Sequence, residues 1–366
     1  VDANEVKAVW DRAGRRAERE QARPERRMAR ILRDDVPTFA EVPSAVGPGG
    51  LEGADVAVLG IPYEGVKLLD PVTYAPPLAA PAADSSIYYR SGADAGPDAV
   101  RRYSVLASLR HGRGLVPETD RDLVILDRLR VVDYGDVAVV PGDVEETFLR
   151  AHEKLADVVA AGAVPVVLGG DHSIPVPVLQ VLAGKLSGRL GIVVLDSHFD
   201  MSYEPRYWAG SQWARAFELG VVEPENFVQI GIRGVRESLA DRAVADELGY
   251  RYHTMSDVDE LGIRAVAQDA LEIATRGTEA VYISLDIDVV DTAHGGQKYP
   301  EPGGLSAREL LRALRVLSRA HVAGFDLCCL APRYDLQGHL SQLAARAALE
   351  VIAGMALQRP VRARGL

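Results

Sequence analysis

The chain has 366 residues, 48% of them hydrophobic and 25% charged, with a formal net charge of −11. That length suits one large α/β domain, and the acid surplus argues against a nucleic-acid or anionic-membrane surface. No apolar run approaches the roughly 20 residues of a membrane span, the charged start of the chain lacks an apolar signal segment, and the two cysteines are neighbours that cannot staple a fold, so a reducing cytosol is expected.

Residues 1–36, rich in Arg, Glu and Ala, predict a helical arm ahead of a single α/β domain over 37–366. Val56 to Gly60 is the first strong strand, and the Pro-, Ala- and Ser-rich stretch 63–92 reads as a long surface loop. Short strands are expected at 124–126 and 129–132, then a helix over 144–160 with Phe148, Ala151, Leu155, Val158 and Val159 on one face. Strands follow at 164–168, 191–195, 227–230, near 251–252, at 280–285 and at 322–330. Helices fall between them after Ile174 and at 236–248, 261–276 and 306–320; a last helix over 340–357 is expected to break at Gly354. Apolar strands alternating with amphipathic helices predict a three-layer αβα sandwich on a mostly parallel sheet, with ligands beyond the carboxyl ends of the strands.

Those ends carry the chemistry. Gly169-Gly170-Asp171-His172-Ser173 follows one strand, Asp196-Ser197-His198-Phe199-Asp200 a second, and Ser284-Leu285-Asp286-Ile287-Asp288 a third. One Asp-x-Asp alone is more often a turn or cap, but three strand ends that each deliver Asp or His point to a carboxylate-rich metal site. Alternate residues of an extended segment share a face, so Asp196, His198 and Asp200 can converge if that segment stays extended. Paired cations there would acidify a water near neutral pH. Phosphate loop, nucleophile elbow, Cys-x-x-Cys pair and dinucleotide glycine pattern are all missing from the sequence.

With these motifs and with Gly92-Ala93-Asp94-Ala95-Gly96-Pro97-Asp98-Ala99-Val100-Arg101, Asp133-Tyr134-Gly135-Asp136-Val137 and Pro302-Gly303-Gly304-Leu305, the chain from about Pro37 onward resembles the ureohydrolase superfamily, the arginases and agmatinases. The resemblance implies an arginase-like fold and two Mn²⁺ ions, other first-row divalent metals also suiting the donors. It assigns His172, Asp196, Asp200 and Asp286 to one ion and Asp196, His198, Asp286 and Asp288 to the other. It also implies a homo-oligomer, trimer or hexamer, acting on a small molecule.

Two positions depart from the family pattern. A His expected in the turn at 207–213 is Ala209, which cannot transfer a proton. A Glu expected to meet the substrate guanidinium is Cys329, which gives up a charge-assisted contact. His294, Lys298 or Tyr299 is a candidate to replace the missing proton donor. Asp200, His294 and Cys329 are therefore the catalytic candidates, and Ser202, Glu204, Tyr299 and Cys329 the substrate-binding ones. The expected activity is a binuclear C–N hydrolase of amidinohydrolase type, with a metal-bridging hydroxide as nucleophile, acting on a substrate other than arginine or agmatine. The alternatives are a non-hydrolytic metal-binding homologue and a same-fold enzyme with a different reaction.

Overall fold

The structure, a computed structural model, describes residues 36–65, 91–116, 122–203, 207–235 and 239–362. The expected arm up to residue 35, most of the expected loop 63–92, and Glu204 lie outside the described residues. Among the described residues eight strands form the sheet: β1 (Val56–Ile61), β2 (Val131–Asp136), β3 (Val164–Gly169), β4 (Leu190–Leu195), β5 (Phe227–Ile232), β6 (Arg251–Thr254), β7 (Ala280–Asp286) and β8 (Val322–Cys328). Their order is β2-β1-β3-β8-β7-β4-β5-β6, and every pair is parallel. The inner strands are mostly apolar and β-branched, as a sheet buried on both faces requires, while the edge strands β2 and β6 carry polar residues.

Alternate strand residues feed two cores. Val58, Val166, Val193 and Ile283 face α1 (Gly96–Ser104), α8 (Ile263–Thr275), α9 (Ala307–Leu317) and α10 (His339–Leu357). Leu59, Val167, Val194 and Tyr282 face α3 (Val144–Ala160), α4 (Pro175–Lys185), α5 (Gln212–Glu218) and α6 (Leu239–Leu248). The short α2 (Leu109–Gly112) and α7 (Met255–Leu261) complete the helices among the described residues. Asp143 caps α3 by accepting the Glu146 N–H at 2.9 Å, and Ser306 with Glu309 forms a capping box at α9. Helix α10 is long and apolar enough to cross a membrane by length and composition, but 83% of its apolar window is buried inside the fold. Arg101 is buried on α1 and binds Asp133 at 2.8 Å and Asp136 at 2.5 Å, tying that helix to β2.

The expected elements need four corrections. Residues 124–126 form no strand: Val124 makes a single bridge to Leu115, and Ile125–Asp127 turns as a 3₁₀ helix whose Asp127 is held by Arg113 at 2.7 Å. The expected helix 261–276 is two helices, α7 and α8, parted where Gly262 takes φ +79°. Strand β8 stops at Cys328 because Cys329 turns to φ +60°. Helix α10 runs unbroken through Gly354, where a Cβ would lie 2.0 Å from Ser318 Oγ, so this glycine serves close packing and does not end the helix.

Candidate metal centre

Four neighbouring strands at the middle of the sheet, β3, β8, β7 and β4, end at the same place. Neighbouring strands lie about 4.8 Å apart, so residues just past adjacent ends are within reach of one another. His172 follows β3, Cys329 follows β8, Asp286 ends β7 and Asp196 follows β4. His172 Nδ1 lies 3.0 Å from Asp196 Oδ2, 3.0 Å from Asp200 Oδ2 and 3.3 Å from Asp286 Oδ2. His198 Nδ1 lies 3.2 Å from Asp288 Oδ2 and 3.6 Å from Asp196 Oδ1. Asp196 thus turns one oxygen toward each histidine.

The segment does not stay extended as expected. Strand β4 ends at Leu195, and Asp200 takes φ +50°, a left-handed conformation that Asp tolerates better than most residues. Likewise Asp288 sits in a 3₁₀ turn, Ile287–Val289, at the end of β7. The donors converge through turns. His198 N–H donates to Asp196 Oδ1 at 2.8 Å and Asp288 N–H to Asp286 Oδ1 at 2.9 Å, so the backbone aims each carboxylate.

Three buried atoms here, His172 Nδ1, Asp196 Oδ2 and Asp288 Oδ2, have no hydrogen-bond partner among the described residues. The reason lies behind the histidine. Ser284 Oγ donates to Asp326 Oδ1 at 3.1 Å and stands 3.0 Å from His172 Nε2, while Tyr282 OH donates to Asp326 Oδ2 at 2.5 Å. In the neutral imidazole, the form that binds a metal, the serine gives its proton to Asp326 and accepts the Nε2 proton, so that Nδ1 presents a lone pair to three carboxylate oxygens. Acceptors facing acceptors repel, and a cation between them removes the repulsion.

Ionisation of the metal-free group answers the same crowding of carboxylates, with protons on the histidines standing where a cation would. Burial, then the charges of Asp288 and Asp196, pushes Asp286 well above the ordinary carboxylate range; Asp196 is raised by burial and then by Asp200 and Asp288. Burial opposes charge on Asp288 too, but His198 beside it brings its pKa to about 2. Burial disfavours charge on His172 and His198, yet the carboxylates outweigh it and raise both. The buried group attracts positive charge, and the N/O donor set fits two divalent first-row ions.

The other expected residues are placed as follows. Cys329 is fully buried, and burial, then the Asp286 charge, raises its thiol pKa well above normal, which disfavours the thiolate a nucleophile needs. Its carbonyl accepts the Lys298 N–H at 2.9 Å. Lys298 is itself buried, its ammonium donating to Glu64 Oε1 at 2.5 Å. Tyr299 stands edge-on to His198 with ring centroids 6.3 Å apart, whereas His294, on the 3₁₀ turn Thr292–His294, joins none of the donor clusters. Ser202 donates to Asp241 at 3.2 Å, and its N–H donates to the Gly210 carbonyl at 2.9 Å, which brings the turn bearing Ala209 beside Asp200.

Sequence reasoning missed the supporting residues. Ser284, Asp326 and Glu64 were not singled out, nor was Gln212, whose amide donates to Asp200 Oδ2 at 2.5 Å. Asp326 carried a signal, a carboxylate inside an apolar strand; burial raises its pKa to about 6.

A sequence model of the arginase family matches residues 54–354. Proclavaminate amidinohydrolase of Streptomyces clavuligerus is 34% identical over 321 residues, 87% of this chain and 92% of the relative. Guanidinopropionase of Pseudomonas aeruginosa is 31% identical over 326 residues, 87% of this chain and 91% of the relative. The solved structure of the Streptomyces clavuligerus amidinohydrolase superposes with a TM-score of 0.72 at 33% identity, over 88% of this chain and 97% of that one.

Proposed function

The chain belongs to the arginase family, a family of non-peptide C–N hydrolases, and from that premise we propose that it is a two-metal amidinohydrolase whose substrate is a small molecule other than free arginine or agmatine. The observation that carries the reading is the set of buried acceptors without partners, His172 Nδ1, Asp196 Oδ2 and Asp288 Oδ2, all facing the same few ångströms. His172, Asp196, Asp200 and Asp286 would hold one ion and Asp196, His198, Asp286 and Asp288 the other, manganese and other first-row divalent ions being the candidates. Two such ions supply Lewis acidity and an activated water. The protein positions them: Ser284 sets the His172 tautomer, Gln212 fixes Asp200, and the Asp288 N–H orients Asp286.

The substrate end is the unusual part. No carboxylate stands at residue 329 to pair with a guanidinium, and the nearby buried Lys298 ammonium is already paired with Glu64. This favours a reacting group less cationic than free guanidinium: an amide, a formimino group or a modified guanidine. Tyr299, against His198, is better placed than His294 to donate a proton in place of the missing histidine. We also place the protein in the cytosol as a homo-oligomer, trimer or hexamer. The test is metal content together with urea and ammonia release over guanidino, formimino and amide substrates. Two ions with release supports the reading. Two ions without release, persisting in Cys329→Glu/Ala209→His, moves it to a non-hydrolytic metal-binding role, and no ions after manganese loading overturns it.

A further inference from the structure

A sulfur atom completes one side of the donor set. Cys328, the last residue of β8, is paired in register with Asp286 on β7, and its Sγ lies 3.7 Å from Asp286 Oδ2. His172, Asp286 and Cys328, all buried, offer nitrogen, oxygen and sulfur atoms within 4.8 Å of one another. With bonds of about 2.1 Å to nitrogen or oxygen and about 2.3 Å to sulfur, adjacent donors that share one first-row ion would stand roughly 3.0–3.7 Å apart. The observed edges are 3.3 Å for His172 Nδ1 to Asp286 Oδ2 and 3.7 Å for Asp286 Oδ2 to Cys328 Sγ. His172 Nδ1, in a side chain 1% exposed and without a hydrogen-bond partner among the described residues, marks this corner as a ligand position.

We propose that Cys328 is a ligand of the ion held by His172 and Asp286, which makes the centre a mixed one: a nitrogen–oxygen site at His198 and a sulfur-bearing site at His172 that prefers zinc, cobalt or nickel to manganese. The thiol hydrogen has two acceptors at 3.7 Å, the Leu285 carbonyl and Asp286 Oδ2, and the cation displaces it: the S–H bond breaks, a metal–sulfur bond forms, and the proton leaves to solvent. Thiolate donors select softer first-row ions, whereas manganese favours oxygen. The inference rests on the two-metal reading, and cobalt separates the two. The full chain is loaded with Co²⁺, and its visible ligand-field bands report binding while a near-ultraviolet sulfur-to-cobalt charge-transfer band reports the thiolate. Expected are both signals in the unaltered chain, with the near-ultraviolet band lost in Cys328→Ser and Cys328→Val but kept in Cys329→Ser. The zinc-over-manganese preference should fall on the order of tenfold in the Cys328 variants. Ligand-field bands without the charge-transfer band overturn the sulfur ligand and leave the two-metal reading standing. Loss of the band in Cys329→Ser instead overturns the assignment to Cys328. No cobalt binding at all overturns both.

Discussion

Replacing Ser284 by Ala tests whether the groups behind His172 build the metal centre. The serine hydroxyl stands 3.0 Å from His172 Nε2 and 3.1 Å from Asp326 Oδ1, all three residues being buried. Alanine leaves the Nε2 proton without an acceptor and a space the size of one oxygen, too small to admit a water. An unsatisfied buried donor costs about 1–3 kcal/mol, or roughly 5- to 150-fold in an equilibrium constant. The imidazole can avoid that cost by moving its proton to Nδ1, which removes the lone pair needed for the ion. Either way Ser284→Ala should weaken the ion at His172 by about 10- to 100-fold while the ion at His198, which Ser284 does not touch, binds as before. Calorimetric titration of the metal-free chain at neutral pH resolves the two steps, and Ser284→Thr, which keeps the hydroxyl, should bind nearly as the unaltered chain does. Unchanged affinity at both steps in Ser284→Ala, or an equal loss in Ser284→Thr, refutes the relay.

Three further outcomes follow from other parts of the molecule. Lys298→Met leaves Glu64 buried without its ammonium and should cost about 3–5 kcal/mol in urea unfolding; Glu64→Gln/Lys298→Met should recover part of that, and simple additivity would contradict a coupled pair. Gly354→Ala forces a methyl group against Ser318 and should cost about 1–3 kcal/mol by the same assay, whereas an ordinary exposed helix position would gain from alanine. Burial first, and the Arg251 charge second, hold buried His253 below its ordinary pKa of 6.5. The unfolded chain therefore binds a proton that the folded chain refuses. Stability should fall as pH drops through 6.5 toward the lowered folded value, and His253→Asn should flatten that slope in unfolding midpoints compared between pH 7.5 and 5.5.

Most of the layered architecture was legible because each strand is a short apolar run and each helix an amphipathic one. The misjudged elements depended on neighbours. Gly354 reads as a helix breaker until Ser318 is seen pressed against it. The stretch 124–126 reads as a strand, yet it pairs with a neighbour only through the single Val124–Leu115 bridge. In the site, the Asp and His runs were visible as clusters, but their convergence comes from turns at Asp200 and at 287–289, where positive φ and a 3₁₀ helix replace the extended segments expected.

The sequence alone determined the donor types and their attachment to strand ends, because each is a property of a residue and its immediate neighbours. Only the tertiary structure decided that β8 inserts between β3 and β7. That placement sets Cys328 against Asp286 and puts Asp326 in reach of Ser284, residues 42 positions apart in each pair. Local pattern specifies a strand's buried faces but not which strand lies beside it, since any apolar parallel neighbour satisfies the same backbone hydrogen bonds. The choice is made by packing the helices on both faces at once, and it is that choice which surrounds the His172 lone pair with acceptors.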